Sequence, residues 1–383
     1  MSPRWVQLLR PLRKHFQHRH QQLVDIEIRE IEHVTRAVDA GQGVLIAPNH
    51  SGHAYVLYDA ADRVGRPFYF MTAWQVIGLA PPVRRWILRR HGCFSVNREG
   101  TDLKAFRQAT EILQQRPHPL VVFPEGEVYH TNERVTPFRE GPASMALTAA
   151  RRGDRPIVCV PCAIRYHYLE DPTPALLDVM ARLEKALFWR VRDDLPLETR
   201  IYRTGEAILA LKELEYRGST FKGPLPERLA ELADEILANM ESDYNVDSRE
   251  ATIPERVKAL RQKVIQDRER RVEDGNDITN CDIQLEDLYF VIQSFSYPGD
   301  YVTESPSLER LAETLDKFEE DILGSQTATI RGKRCATVTF GAPIEVSSDK
   351  TKDGASTLSR LLEQRVQQLL DETPTPANAV SAR

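Results

Sequence analysis

Four short stretches carry residue types suited to chemistry, and each falls where an apolar run stops. Asn49-His50 closes Val44-Leu-Ile-Ala-Pro48 and is followed by Ser51 and Gly52. Arg98 follows Phe94-Ser-Val-Asn97 just ahead of a helix-like pattern, and Phe123-Pro-Glu-Gly126 packs a rigid proline, a carboxylate and a glycine into one turn. The fourth stretch, Val160-Pro161, interrupts another apolar run. An imidazole exchanges a proton near neutral pH and a guanidinium matches oxyanions with paired hydrogen bonds. Singly, each has an ordinary explanation. A strand-end histidine is more often structural than catalytic, an exposed arginine is usually solvated, Pro-Glu-Gly is a common turn and a strand proline often marks an edge.

The elements that must position these residues alternate. Apolar runs of strand length lie at 44–47, 67–71, 93–96, 120–123 and 157–165, with helical patterns between them. In 101–115, Leu103, Phe106, Thr110 and Leu113 share a face, with Thr101 as a candidate N-cap, and an alanine-rich helix is expected over 142–152 after a turn at Gly141. This order predicts an α/β fold: a mostly parallel or mixed sheet flanked by helices, with its site at the strand C-terminal ends, where His50 falls.

Around that domain, placed at 41–215, residues 1–40 read as a basic amphipathic helical segment, with Trp5, Leu8, Leu9, Leu12 and Phe16 at helical spacing among arginines. The pattern predicts a helix over 22–40, closed by Gly41 and Gly43, another over 175–191, and a strand over 199–208. A mainly helical extension with a late strand pair around 328–346 is expected over 216–370, followed by an unstructured tail over 371–383. No internal repeat is evident.

Composition narrows the classes. Net charge is −5 over 383 residues, so no global field attracts nucleic acid and an anionic partner must be met by a local basic patch. No apolar run reaches the roughly 18 residues of a membrane span, and no apolar stretch follows the basic N-terminus as in a signal peptide. The five scattered cysteines fit a reducing, cytoplasmic setting. Cys159 and Cys162 have redox-pair spacing, but inside a strand-like run they read as core. No Gly-x-Ser-x-Gly elbow and no glycine-rich phosphate loop after the first strand is present.

In this order and spacing the four stretches resemble the conserved blocks of the glycerolipid acyltransferase family, which includes lysophosphatidic acid and glycerol-3-phosphate acyltransferases. The likeness covers roughly 40–170, and Phe123-Pro-Glu-Gly126 with the later Phe138-Arg-Glu-Gly141 is its most recognisable part. The resemblance implies transfer of a fatty acyl group from acyl-CoA or acyl carrier protein to the hydroxyl of a glycerol phosphate or lysophospholipid, in phospholipid biosynthesis. His50 would be the general base and Arg98 would bind the acceptor phosphate. Asn49, Glu125 and Gly126 would lie at the substrate, and Pro161 would be structural or acyl-facing. Neither metal nor redox cofactor is implied.

One position departs from the pattern. The family has an aspartate five residues after the histidine, where this chain has Tyr55, and the nearest following carboxylate is Asp59. Three readings follow: Asp59 orients His50 through a rearranged loop, Glu125 stands in, or the chain is a non-catalytic lipid- or acyl-carrier-binding protein on the same fold. Losing an orienting carboxylate costs on the order of 10⁴ in turnover in the serine-protease triad. Ahead of Arg98, the segment 83–91 sets Arg84, Arg85, Arg89 and Arg90 around Trp86. With the N-terminal segment it suits an anionic membrane surface, giving a peripheral protein on the inner face, while a solvated helix face is the plainer alternative. Trp74 and Val76–Leu79 suit either an acyl groove or core packing.

Overall fold

The computed structural model of the chain describes all residues except 53, 98–101, 130, 249–250, 297–298, 303–305, 326–328, 350–352, 377–378 and 381–383. It divides into two compact units, Met1–Pro172 with Thr329–Ser381, and Thr173–Ala328.

The first unit opens with α1 (Pro3–Leu8), α2 (Arg10–His20) and β1 (Leu23–Arg29). There follow α3 (Glu32–Asp39), β2 (Gly43–Pro48), α4 (Tyr55–Val64), β3 (Tyr69–Ala73), α5 (Trp74–Gly78), α6 (Pro82–Arg90) and β4 (Cys93–Val96). Next come α7 (Leu103–Gln115), β5 (Leu120–Val121), α8 (Gly141–Arg152) and β6 (Ile157–Tyr168). The second unit contributes α9 (Thr173–Ala186), α10 (Leu197–Arg217), α11 (Leu225–Tyr244), α12 (Ile253–Glu273), α13 (Thr279–Ser296) and α14 (Leu308–Leu323). The chain then returns to the first unit with β7 (Arg334–Phe340), β8 (Ile344–Glu345) and α15 (Gly354–Glu372).

The described strands form one mixed, mostly parallel sheet in the order β1-β7-β6-β2-β5-β3-β4, with β8 also on β6. β2 sits centrally, parallel to β5 and β6, and every residue of it is buried. Such a strand needs apolar side chains on both faces. Val44 and Ile46 pack toward the α3 and α4 side with Val34, Ala37, Leu57 and Ala60. Leu45 and Ala47 face Ala109 and Leu113 of α7, Ala143 and Ala146 of α8, and Leu362 and Val366 of α15. Gly43 opens β2 because a Cβ there would stand 2.2 Å from the Leu113 carbonyl oxygen. Cys159 and Cys162 belong to opposite core layers, fully buried, with their thiol pKa values pushed up by burial, and so pack as core.

Several expectations need correction. The helix expected over 22–40 is β1 followed by α3: Val24, Ile26 and Ile28 alternate with Asp25, Glu27 and Arg29, a period-two pattern that belongs to a strand. Asp102, not Thr101, caps α7 by accepting from the Ala105 N–H at 2.9 Å, and Thr101 lies outside the described residues. The strand expected over 199–208 is part of α10. Its buried positions Leu197, Arg200, Ile201 and Thr204 have helical spacing, but one of them is an arginine, which hides the stripe from an apolar count. The late strand pair lies in the sheet of the first unit, with β7 antiparallel to β6 and parallel to β1. Within the stretch from 371 expected as an unstructured tail, Thr373 is buried and Val380 donates its N–H to the Tyr168 carbonyl at 2.9 Å.

The second unit also overturns the absence of repeats. Leu197-Glu-Thr-Arg200, Leu225-Pro-Glu-Arg228 and Ile253-Pro-Glu-Arg256 recur at equal intervals, each opening a helix. Each arginine makes a two-pronged, buried pair with a glutamate of the preceding helix: Arg200 with Glu184, Arg228 with Glu213 and Arg256 with Glu241. The two forked bonds fix the rotation of each helix on its predecessor. Around them Leu232, Ile236, Val257, Leu260, Val264 and Leu288 form an apolar core.

Candidate active site

β2 delivers Asn49 and His50 to the C-terminal edge of the sheet, and the neighbouring strand holds them there. Asn49 is wholly buried; its Nδ2 donates to the Ile164 carbonyl at 3.0 Å, and its Oδ1 accepts from the Ile164 N–H at 2.7 Å. Both ends of the amide are thus spent on β6, which corrects the expectation that Asn49 faces substrate: it is a clamp. Asn132 repeats the device one step along, bridging both backbone groups of Tyr166 at 2.7 Å.

His50 leaves this clamp held at both its backbone and its ring. Its backbone N–H donates to Glu125 Oε1 at 2.7 Å, its ring stacks on Phe123 with centroids 4.0 Å apart, and Nδ1 lies 3.0 Å from the Gly52 carbonyl oxygen. A carbonyl can only accept, so Nδ1 carries the hydrogen in that contact and the ring lone pair is on Nε2. In the neutral form of the ring, a backbone carbonyl thus selects the tautomer.

Asp59, the expected acid, points elsewhere. It sits on α4 and takes the Gln17 Nε2 hydrogen at 2.8 Å, with Lys14 Nζ at 3.6 Å. Gln17 also donates to the Tyr55 carbonyl, the Tyr55 ring lies 5.4 Å from that of Phe16, and Asp62 accepts from Arg13 at 2.6 Å. The whole 55–62 face of α4 is committed to holding α2. The rearranged loop that would turn Asp59 to His50 is not what the structure shows.

Glu125 is almost fully buried. Its second oxygen accepts from the Thr136 hydroxyl at 2.5 Å and the Thr136 N–H at 3.3 Å. Burial raises its pKa from 4.5 to about 7, against the lowering effect of the Thr136 and His50 hydrogen bonds. Gly126 closes the turn by donating its N–H to the Phe123 carbonyl, and does so at a φ of +82°. The backbone angle favours glycine, and a Cβ at Gly126 would lie 2.6 Å from Arg139 Nε and so push aside the arginine lying against it. Thr136 and Arg139 are the residues that sequence reasoning passed over. The signal for Arg139 was available in the Phe138-Arg-Glu-Gly141 turn, whose Arg139 N–H is bonded to the Pro124 carbonyl.

Pro161 is buried in β6, opposite Ala47 of β2. It falls where β8 pairing, which ends at Cys159, gives way to β7 pairing from Cys162, so its missing N–H is not needed by either partner. Of its two expected roles the geometry supplies the structural one. Arg98 lies outside the described residues.

On α6, Arg85 is a structural residue, donating to the carbonyls of Ile77, Gly78 and Ala80 rather than facing outward. Arg84, Arg89 and Arg90 are exposed. Arg90 lies over the Trp86 ring, which meets Trp5 of α1 edge-on at 4.8 Å. Leu8, Leu12, Leu79 and Val83 are 60–73% exposed in the same set of elements, whereas Ile77 is core. Among the described residues no helix is long and apolar enough to cross a membrane.

A comparison with curated proteins found no match. A family model described as Acyltransferase matches residues 25–165, the span from β1 through the Asn49 clamp, the His50 tautomer lock and the Glu125 turn to β6. That span is a domain of the glycerolipid acyltransferase family, which supports a general acyltransferase role.

Proposed function

We propose that the protein moves a fatty acyl group from an acyl thioester, acyl-CoA or acyl carrier protein, to the hydroxyl of a glycerol phosphate or lysophosphatidic acid, with His50 as general base. The observation that carries this reading is the Gly52 carbonyl at His50 Nδ1, which fixes the ring orientation and tautomer that the absent aspartate would otherwise fix. With the lone pair on Nε2, the imidazole takes the acceptor hydroxyl proton as that oxygen attacks the thioester carbon. The tetrahedral intermediate expels the thiolate, the C–S bond breaks, and the imidazolium returns its proton to sulfur. Phe123 fixes the ring plane and Asn49 fixes the strand end. Glu125 positions the His50 backbone from a buried site instead of touching the acceptor. Arg98, by family resemblance, and Arg139, by its place against Gly126, are the cations for the acceptor phosphate.

The exposed leucines and valine on α1, α2, α5–α6 and the adjoining arginines suit a bilayer surface with anionic lipids, which would place the enzyme on the inner face of the membrane where its lipid substrates are. In an assay of acyl-thioester consumption with a glycerophosphate acceptor, His50→Ala should remove turnover while leaving the melting temperature unchanged. Turnover at the parental rate in that variant would refute the mechanism. Tyr55 at the family's acid position favours a second reading, a lipid- or acyl-carrier-binding protein without turnover. Vesicle binding by the parent chain with no thioester consumption under any acceptor would select it.

A further inference from the structure

α15 lies far beyond the span that matches the family model, yet it carries a polar row aimed at the loop behind Glu125. Leu358, Leu362, Val366 and Leu370 are its buried stripe. Beside that stripe Ser359, Glu363 and Gln367 follow one another at successive turns, a spacing that lines them up along one side of a helix.

Each reaches the backbone of the segment 133–139. The Ser359 hydroxyl donates to the Arg139 carbonyl at 3.1 Å, and Glu363 Oε2 accepts from the Phe138 N–H at 2.7 Å. Gln367 uses both ends of its amide, accepting from the Val135 N–H at 3.0 Å and donating to the Glu133 carbonyl at 3.1 Å. That segment has no strand or helix of its own, so its orphaned backbone groups must be met from outside. It also bears Thr136, bonded to Glu125, and Arg139, against Gly126.

We propose that Ser359, Glu363 and Gln367 are positioning residues for the acyl-acceptor side of the site, holding the 133–139 segment so that Thr136 and Arg139 meet the Glu125 turn. The acceptor they serve is the phosphate-bearing alcohol of the proposed reaction, and the inference rests on that reading. Misplacing such a segment by about 1 Å costs on the order of a hundredfold.

Two measurements on the full chain test it. Hydrogen exchange in Glu363→Leu and Gln367→Leu should release the Val135 and Phe138 amides at least about tenfold faster, with β2 and β6 amides unchanged. Steady-state kinetics should show kcat/KM for glycerol 3-phosphate or lysophosphatidic acid reduced about ten- to hundredfold, with KM for the thioester within about twofold of the parent. Glu363→Gln, which keeps an accepting oxygen, should restore most of the loss. Should a leucine variant fail to fold, Glu363→Ala and Gln367→Ala, which also remove the accepting oxygens of the Phe138 and Val135 amides, are read by the same exchange experiment. Unchanged exchange at Val135 and Phe138 overturns the clamp, and faster exchange with parental acceptor kinetics overturns its role in positioning. An inactive parent chain with the exchange result intact would refute the proposed reaction while leaving the clamp standing.

Discussion

At the residue scale the informative atom is the Gly52 carbonyl oxygen, because in the proposed mechanism it orients His50 where the sequence displays no acid. Tyr55 stands where an acid is expected, and a reader of residues looks for another carboxylate, since only side chains are visible in a string of letters. A backbone acceptor two residues away is invisible there. The consequence is testable: Asp59→Asn should retain thioester turnover within about twofold. A loss near the 10⁴ that follows removal of an orienting carboxylate would return Asp59 to the site. The turn singles out Glu125 in the sequence, but its burial is not legible there, and burial sets its titration. Its folded pKa of about 7 lies above the ordinary 4.5, so its contribution to stability is fully present below pH 4.5 and is lost as pH rises through 7. Glu125→Gln, which does not ionise, should therefore gain on the parent by an amount on the order of a few kcal/mol between pH 5 and pH 8, read by chemical denaturation at both pH values.

At the scale of elements, the strands of the central sheet were readable from short apolar runs because buried parallel strands leave little room for anything else. Two elements were misread for one reason. β1 alternates charge with isoleucine and valine, and α10 buries Arg200, so a count of apolar residues assigns the wrong period to each. The same blindness hid the repeated Glu–Arg clasps of the second unit, whose core-facing positions are charged. These clasps make a sharp prediction. Arg228→Leu strands a buried Glu213 carboxylate and should cost about 3–5 kcal/mol, whereas Glu213→Leu combined with Arg228→Met should come within about 1 kcal/mol of the parent or exceed it. Urea unfolding of the three chains distinguishes these outcomes. Equal losses in the single and double variants would mean that the clasp contributes its geometry and not just the avoidance of a lone charge.

At the scale of the whole molecule, a net negative chain presents a local surface of the opposite character. Arg84, Arg89 and Arg90 adjoin the exposed Leu79 and Val83, and Leu8 and Leu12 are exposed on and beside α1 and α2. Binding to vesicles containing anionic lipid should fall as salt rises past the point where screening shortens to about 8 Å, and Val83→Glu with Leu79→Glu should weaken it about tenfold or more in cosedimentation. Salt-independent binding would mean that the arginines are not part of the contact. The sheet order has a further consequence for how the protein comes into being. β1 and the 162–168 half of β6 both pair with β7, which is translated only after the entire second unit. At about 5–20 residues per second the ribosome leaves the β6 edge waiting for roughly 10–30 s and the β1 edge for roughly 15–60 s. Open edges recruit other chains during such a delay, so the nascent protein has to be shielded or buffered by its own helices until residue 340 emerges. A fragment ending at 165 keeps every residue of the family match and yet cannot close its own sheet.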